Sequence, residues 1–173
     1  MKNLNNKILL HIKNHNHIIP NICQKKVITR IEYELDKVLN NKILNIFKKN
    51  FLGIYIHGSF GVGKSVILKA LNVVFKDSEI FHFSDLIFHI QNTKTKKKTR
   101  LNSKIILIDE FYINNLTNLI LFKKFFFESF HKKKIIIMTG NKKITNIYED
   151  PINKKLCYEI REELDKNFVQ LRM

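Results

Sequence analysis

A chain of 173 residues has room for one α/β core and a small appendage, and not for two independent cores. Its 45% hydrophobic content, with 14 Phe against 5 Gly and 2 Pro, excludes a disordered or collagen-like protein and fits a globular one. The formal net charge of +16 has two readings, affinity for phosphate polyanions or the Lys- and Asn-rich usage of an AT-rich genome, and the scarcity of Arg, found only at positions 30, 100, 161 and 172, weakens the first.

Residues 1 to about 50 read as a helical segment ahead of the core. The opening "MKNLNNKILLHIKNHNHIIP" holds an apolar run too short and interrupted for a signal sequence, and nowhere do about 18 uncharged apolar residues run together. Cys23 and Cys157 have no partners at metal-site or disulfide-framework spacing, so a reducing, cytoplasmic setting is expected. His11, His15 and His17 have no acid or Cys nearby to complete a metal site, and a mobile basic segment is the expectation there. In "VITRIEYELDKVLNNKILNIFKK", Val27, Ile28, Ile31, Leu35, Val38, Leu39, Ile43, Ile46 and Phe47 recur at helical spacing, which predicts a stripe packed on the core; binding to a membrane surface is the lesser reading.

From Gly53 onward, short apolar runs alternate with helical stretches. The runs "GIYIH", "EIFHF", "KIILID", "KIIIMTG" and "FVQLRM" are strand length, and the middle ones are apolar at consecutive positions, as strands covered on both faces are. Helices are predicted over 64–75, 84–91, 116–130 and 151–166. This alternation predicts an α/β fold, a P-loop NTPase αβα sandwich with a five-stranded parallel sheet, preceded by the N-terminal helical segment. The organisation expected is thus residues 1–50 as that segment and 51–173 as the core. "NTKTKKKTRLNSK", residues 92–104, reads as a solvated basic loop, with contact to an acidic partner or nucleic-acid backbone as the alternative. "FKKFFFESF" reads as the buried face of a helix, with Lys123 and Lys124 solvated.

"GSFGVGKS", Gly58 to Ser65, matches G-x-x-x-x-G-K-[ST] between a predicted strand and a predicted helix, the context its mechanism needs. In that motif Gly58, Ser59, Phe60, Gly61, Val62 and Gly63 present main-chain N–H groups to phosphate oxygens of ATP, and the positive end of the helix adds to the field. Lys64 reaches the β- and γ-phosphates and Ser65 ligates Mg2+. "IILIDEF" places two acids at the carboxyl end of a buried strand: Asp109 to hold Mg2+ and Glu110 to polarise the attacking water, with capping of the next helix as the bland alternative. "IIIMTGN" ends a further strand in Thr139 and Asn141, either of which could orient water near the γ-phosphate; Gly-Asn is also ordinary turn chemistry. His57 and His82, near strand ends, are expected to pack or to bond backbone.

Taken together, "GIYIHGSFGVGKS", "FHFSDLIFHI", "IILIDEFYINNLTNLILFKKFF" and "IIIMTGNKKITNIYED" resemble the ZapE-type ATPases, over about residues 51–150 and more faintly to the end. The marks are the P-loop, the aromatic-flanked His82, Asp-Glu-Phe, and the Thr-x-Asn strand followed by Ile147 and Tyr148. The resemblance implies an AAA+ type core, ATP hydrolysis, assembly as a homo-oligomer, and work on a protein partner in cell division or membrane-protein quality control. It departs from the family at Val62, where Arg is usual; at Asn115 and Asn118, where acids are usual; at Lys154 and Lys155, where Arg is found; and in having no C-terminal lid section. A replicative helicase loader in the manner of DnaC, a nucleotide-gated module gripping single-stranded DNA with its basic surface, is the alternative.

Overall fold

The computed structural model describes residues 3–16, 19–40, 53–92 and 101–173. Two helices, α1 (Leu4–Asn16) and α2 (Ile22–Asn40), precede β1 (Gly53–His57), α3 (Lys64–Val74), β2 (Ser78–His82), α4 (Phe83–Asn92), β3 (Ile105–Asp109), α5 (Leu116–His131), β4 (Ile135–Gly140), a 3-10 turn (Ile144–Asn146), α6 (Lys154–Asn167) and β5 (Phe168–Arg172). All pairings are parallel and the strand order is β2-β3-β4-β1-β5. The expected five-stranded parallel sheet with helices on both faces is therefore present.

Alternation along the central strands divides the core. Tyr55, Ile106, Ile108, Ile136 and Met138 point to the face covered by α4, α5 and α6. Their neighbours Ile54, Ile56, Ile105, Leu107, Ile135 and Ile137 point to the opposite face, where α3 joins α1 and α2. Successive side chains of a strand face opposite ways, so a run apolar at every position needs cover on both sides. The N-terminal stripe provides part of that cover: Ile8, Ile12, Ile28, Ile31 and Leu35 are fully buried, and they share a cluster with Ile67, Leu68 and Leu71 of α3. Ile43, Ile46 and Phe47 lie outside the described residues, as do residues 93–100 of the basic loop and His17.

Local chemistry explains where the element ends differ from expectation. α4 starts at Phe83, not Ser84, because β2 passes straight into it and Phe83 turns inward, 4% exposed. α6 starts at Lys154, not Pro151, because the Asp150 carboxylate accepts from the N–H groups of Ile152 and Asn153, at 2.9 Å each, and holds a turn there. Those backbone donors, that of Asn153 foremost, hold the Asp150 carboxyl below its usual range. On α5, Phe122, Phe125 and Phe126 are buried and form a chain of ring contacts with Phe83 and Phe111. Lys124 is solvated as expected; Lys123 is partly exposed and donates to Glu159 of α6 at 3.0 Å.

Asn115, where the resembled family carries an acid, is the N-cap of α5: its backbone is extended and its Oδ1 accepts from Asn118 N–H at 2.8 Å. Asn115→Ala is expected to cost about 1 kcal/mol, a fall of roughly 2–4 °C in a thermal melt of a chain this size. Asn115→Asp keeps the acceptor and adds favourable charge at the helix N-terminus, so its melting temperature should match or exceed the parent's.

Candidate functional site

The carboxyl ends of β1, β3 and β4 converge on the loop that leads into α3. Gly61 and Gly63 take left-handed backbone angles, φ 75° and 94°, which side chains with a Cβ adopt at a cost, and α3 begins at Lys64. The loop, with Asp109, Glu110, Thr139, Gly140 and Asn141, lines a cavity of about 260 Å3. Lys64 is 8% exposed, and its ammonium donates to the carbonyls of Gly58, at 2.8 Å, and Ser59, at 2.7 Å. Burial lowers its pKa, while the nearby Asp109 and Glu110 oppose that shift.

The Ser65 and Asp109 predicted for one metal meet directly. Ser65 Oγ donates to Asp109 Oδ1 at 2.9 Å, and Thr139 Oγ1 donates to the same oxygen at 2.5 Å. A hydroxyl and a carboxylate in contact at the mouth of an amide-lined loop are hard oxygen ligands of the kind Mg2+ takes, so the residues present fit that ion. Of the two polar side chains expected at the end of β4, Thr139 makes the contact to Asp109; Asn141, two residues on, is exposed on the cavity wall.

Glu110 stands at φ 53°, a left-handed conformation uncommon for residues other than glycine. Thr139 enforces it from both ends of its own residue: its hydroxyl oxygen accepts from Glu110 N–H at 3.1 Å and its carbonyl from Phe111 N–H at 2.7 Å. This twist turns the Glu110 side chain to β2, where Oε2 lies 3.0 Å from His82 Nε2. His82 was expected to pack or to bond backbone; it bonds side chains instead, because the register sets it opposite Asp109, one residue before Glu110. A carboxylate only accepts, so Nε2 carries the proton, and Nδ1 accepts from Ser84, whose backbone N–H is at 3.4 Å and hydroxyl at 2.8 Å. Beyond this pair opens a second cavity of about 420 Å3, whose lining includes Phe83, Phe111, Ile147, Asn114 and Asn118.

Two supporting residues went unread in the sequence. Tyr55, 1% exposed, donates to the carbonyl of Lys142 at 2.6 Å and fills the space a Cβ on Gly140 would need, which fixes the loop bearing Asn141. Burial pushes its phenol well above the usual range. Gln24 of α2 donates to the Val62 carbonyl at 3.2 Å; its only sequence signal is Asn21-x-x-Gln24, a helix-start pattern. His57 packs as expected, stacked on Tyr55 and 8% exposed, with its pKa lowered by burial and then by Lys143, Arg172 and Lys64. Among the described residues no group of His, Cys, Asp and Glu could by itself hold a metal, Cys23 and Cys157 are free thiols, and no helix is long and apolar enough to cross a membrane.

No protein-family model matches the chain, and no curated protein matches it by sequence. Solved structures do match. The DnaC helicase loader aligns at 20% identity and a TM-score of 0.59, over 88% of this chain and 91% of its own. DnaI aligns at 16% identity and 0.61, over 90% and 84%. Replication initiator DnaA bound to AMPPCP and single-stranded DNA aligns at 15% identity and 0.60, over 91% of this chain and 49% of its own, so the chain spans about half of that protein. At these identities the likeness is one of fold, an α/β architecture with a parallel sheet shared with these replication proteins.

Proposed function

We propose that the chain binds ATP with magnesium and hydrolyses it, using the change of state to act on a macromolecular partner. The observation that carries this reading is the convergence of Ser65 and Thr139 on one carboxylate oxygen of Asp109 beside a loop whose lysine is drawn inward. Main-chain amides from Gly58 to Gly63 and the start of α3 would hold the phosphates, and Lys64 would exchange its two carbonyl partners for phosphate oxygens. Ser65 and Asp109 would hold magnesium, which when bound neutralises charge developing on the phosphates. Glu110 is the base that takes the proton of the attacking water, and Asn141 orients that water from the β4 loop.

Glu110 is engaged by His82 through Oε2, which leaves Oε1 as the oxygen to take the proton of the attacking water. Among the described residues, none lining the phosphate cavity is an arginine. Arg161, downstream of Tyr148, is committed to the chain itself: it donates to the carbonyls of Thr145, at 2.8 Å, and Cys157, at 3.2 Å, and lies 3.6 Å from Glu149. A homo-oligomer in which a neighbouring copy supplies cationic groups would complete the site.

The ZapE-like reading, with a protein partner in division or membrane-protein quality control, is supported by the motif order and by the contact of the aromatic-flanked His82 with Glu110. A DnaC-like helicase-loader reading is supported by the match over nearly all of a DnaC chain. Calorimetry with MgATP tests the shared part, and micromolar or tighter uptake is expected; absence of binding would end both readings. Turnover across a protein concentration series and salt-dependent binding of a single-stranded oligonucleotide then separate them, steep concentration dependence without DNA affinity favouring the first.

A further inference from the structure

The phosphate loop is tied at two places. Lys64 ties its first half from inside, through Gly58 and Ser59. Its second half is tied from outside by Gln24, on a helix that comes before the motif in sequence. We propose that Gln24 is a positioning residue of the phosphate loop and that the α1–α2 pair is through it a working part of the nucleotide site; this rests on the nucleotide-binding reading above.

The side chain of Gln24 is 5% exposed and has little freedom. Its Oε1 accepts from Asn21 N–H at 2.9 Å while Asn21 Oδ1 accepts from Gln24 N–H at 2.8 Å, a reciprocal cap that fixes both residues at the start of α2. What remains is Nε2, which donates to the Val62 carbonyl. A Cβ built on Gly63 would stand 2.2 Å from that same nitrogen, so the amide presses on the residue whose left-handed turn starts α3. The helix carrying Gln24 is held to α3 by way of α1: Val27, Ile28 and Ile31 share one buried cluster with Leu4, Ile8 and Ile12 of α1, and α1 packs on α3. The amide therefore orients the Val62–Gly63 peptide from a helix anchored in the same cluster as the helix after the loop. A loop held in its binding shape before the ligand arrives loses less conformational freedom on binding. Displacement of α2 by a partner would loosen the loop by the same route.

Gln24→Met keeps the volume and removes the hydrogen bond; Gln24→Glu keeps the acceptor for Asn21 and sets an oxygen against the Val62 carbonyl. Tyr158→Phe serves as the control, since Tyr158 donates to Glu162 within α6 and touches neither the loop nor the α1–α2 pair. Two readouts are needed: MgADP affinity by calorimetry, and hydrogen exchange of the peptide covering residues 58–65 without nucleotide. The expected result is a roughly five- to tenfold loss of affinity for Gln24→Met and a larger one for Gln24→Glu. Exchange in the loop should be faster in both, with residues 135–140 unchanged, and Tyr158→Phe should leave both readouts at parental values. Parental affinity together with parental loop exchange in Gln24→Met would overturn the proposal, as would faster exchange spread evenly through α2 and β4, which marks a purely structural role. If the parent takes up no nucleotide, the functional reading fails by itself, and loop exchange alone decides the role of Gln24.

Discussion

Glu110→Gln is expected to lower ATP turnover by about 10²- to 10⁴-fold while MgATP affinity stays within a few-fold of the parent, measured by phosphate release and calorimetry on the same preparation. The amide keeps the size of the side chain, and its carbonyl oxygen can still accept from His82 Nε2. What it loses is the basicity needed to take a proton from water. Glu110→Gly separates this chemistry from the fold. At φ 53° the Glu110 backbone occupies a region that glycine enters without a Cβ clash, so the glycine variant should lose turnover equally and yet gain up to about 1 kcal/mol in stability, less the entropy glycine adds to the unfolded chain. A residue held against its conformational preference by Thr139 and carrying the reaction's base is a trade of stability for position. Parental turnover in Glu110→Gln would remove this residue from the mechanism.

The fold was legible because its signals are local and repeated. Consecutive apolar runs of strand length, rich in β-branched residues, fit strands covered on both faces, and Ile105 to Ile108 and Ile135 to Met138 are buried in that way. The phosphate loop was legible because its glycines have a backbone reason to be there. The partners of the acids were harder to read, because they depend on register. His82 meets Glu110 only since β2 lies beside β3 with His82 opposite Asp109, and no spacing in one strand announces the register of another. Gln24 was illegible for a related reason. Its capping pattern with Asn21 predicts where α2 starts, but the approach of that helix end to Val62 is set by how α1 and α2 together seat on the core, a packing outcome. The departures at Asn115 and Lys154 read as losses against the resembled family; in the fold Asn115 has a structural use as a cap.

Lys64→Ala is expected to weaken MgATP binding by about a hundredfold, the upper range for charge-assisted hydrogen bonds to phosphate. The effect has two sources that a second variant separates. Removing the ammonium withdraws a cation from the phosphates, and it also leaves the carbonyls of Gly58 and Ser59 without their donor. Lys64→Arg keeps a positive charge, but its planar fork cannot place one compact ammonium against both carbonyls in a position only 8% exposed. If charge alone mattered, arginine would restore most of the affinity; if the inward-folded ammonium is what shapes the loop, arginine should recover less than about a tenth of it. The unliganded melting temperature distinguishes the same two sources, since the carbonyl contacts exist before any nucleotide arrives and a pure ligand contact would leave the melt untouched. A fall in melting temperature for Lys64→Ala that arginine does not reverse is therefore the expected outcome, and full recovery of affinity by arginine would show that the loop takes its shape from the glycines and Gln24 without help from the lysine.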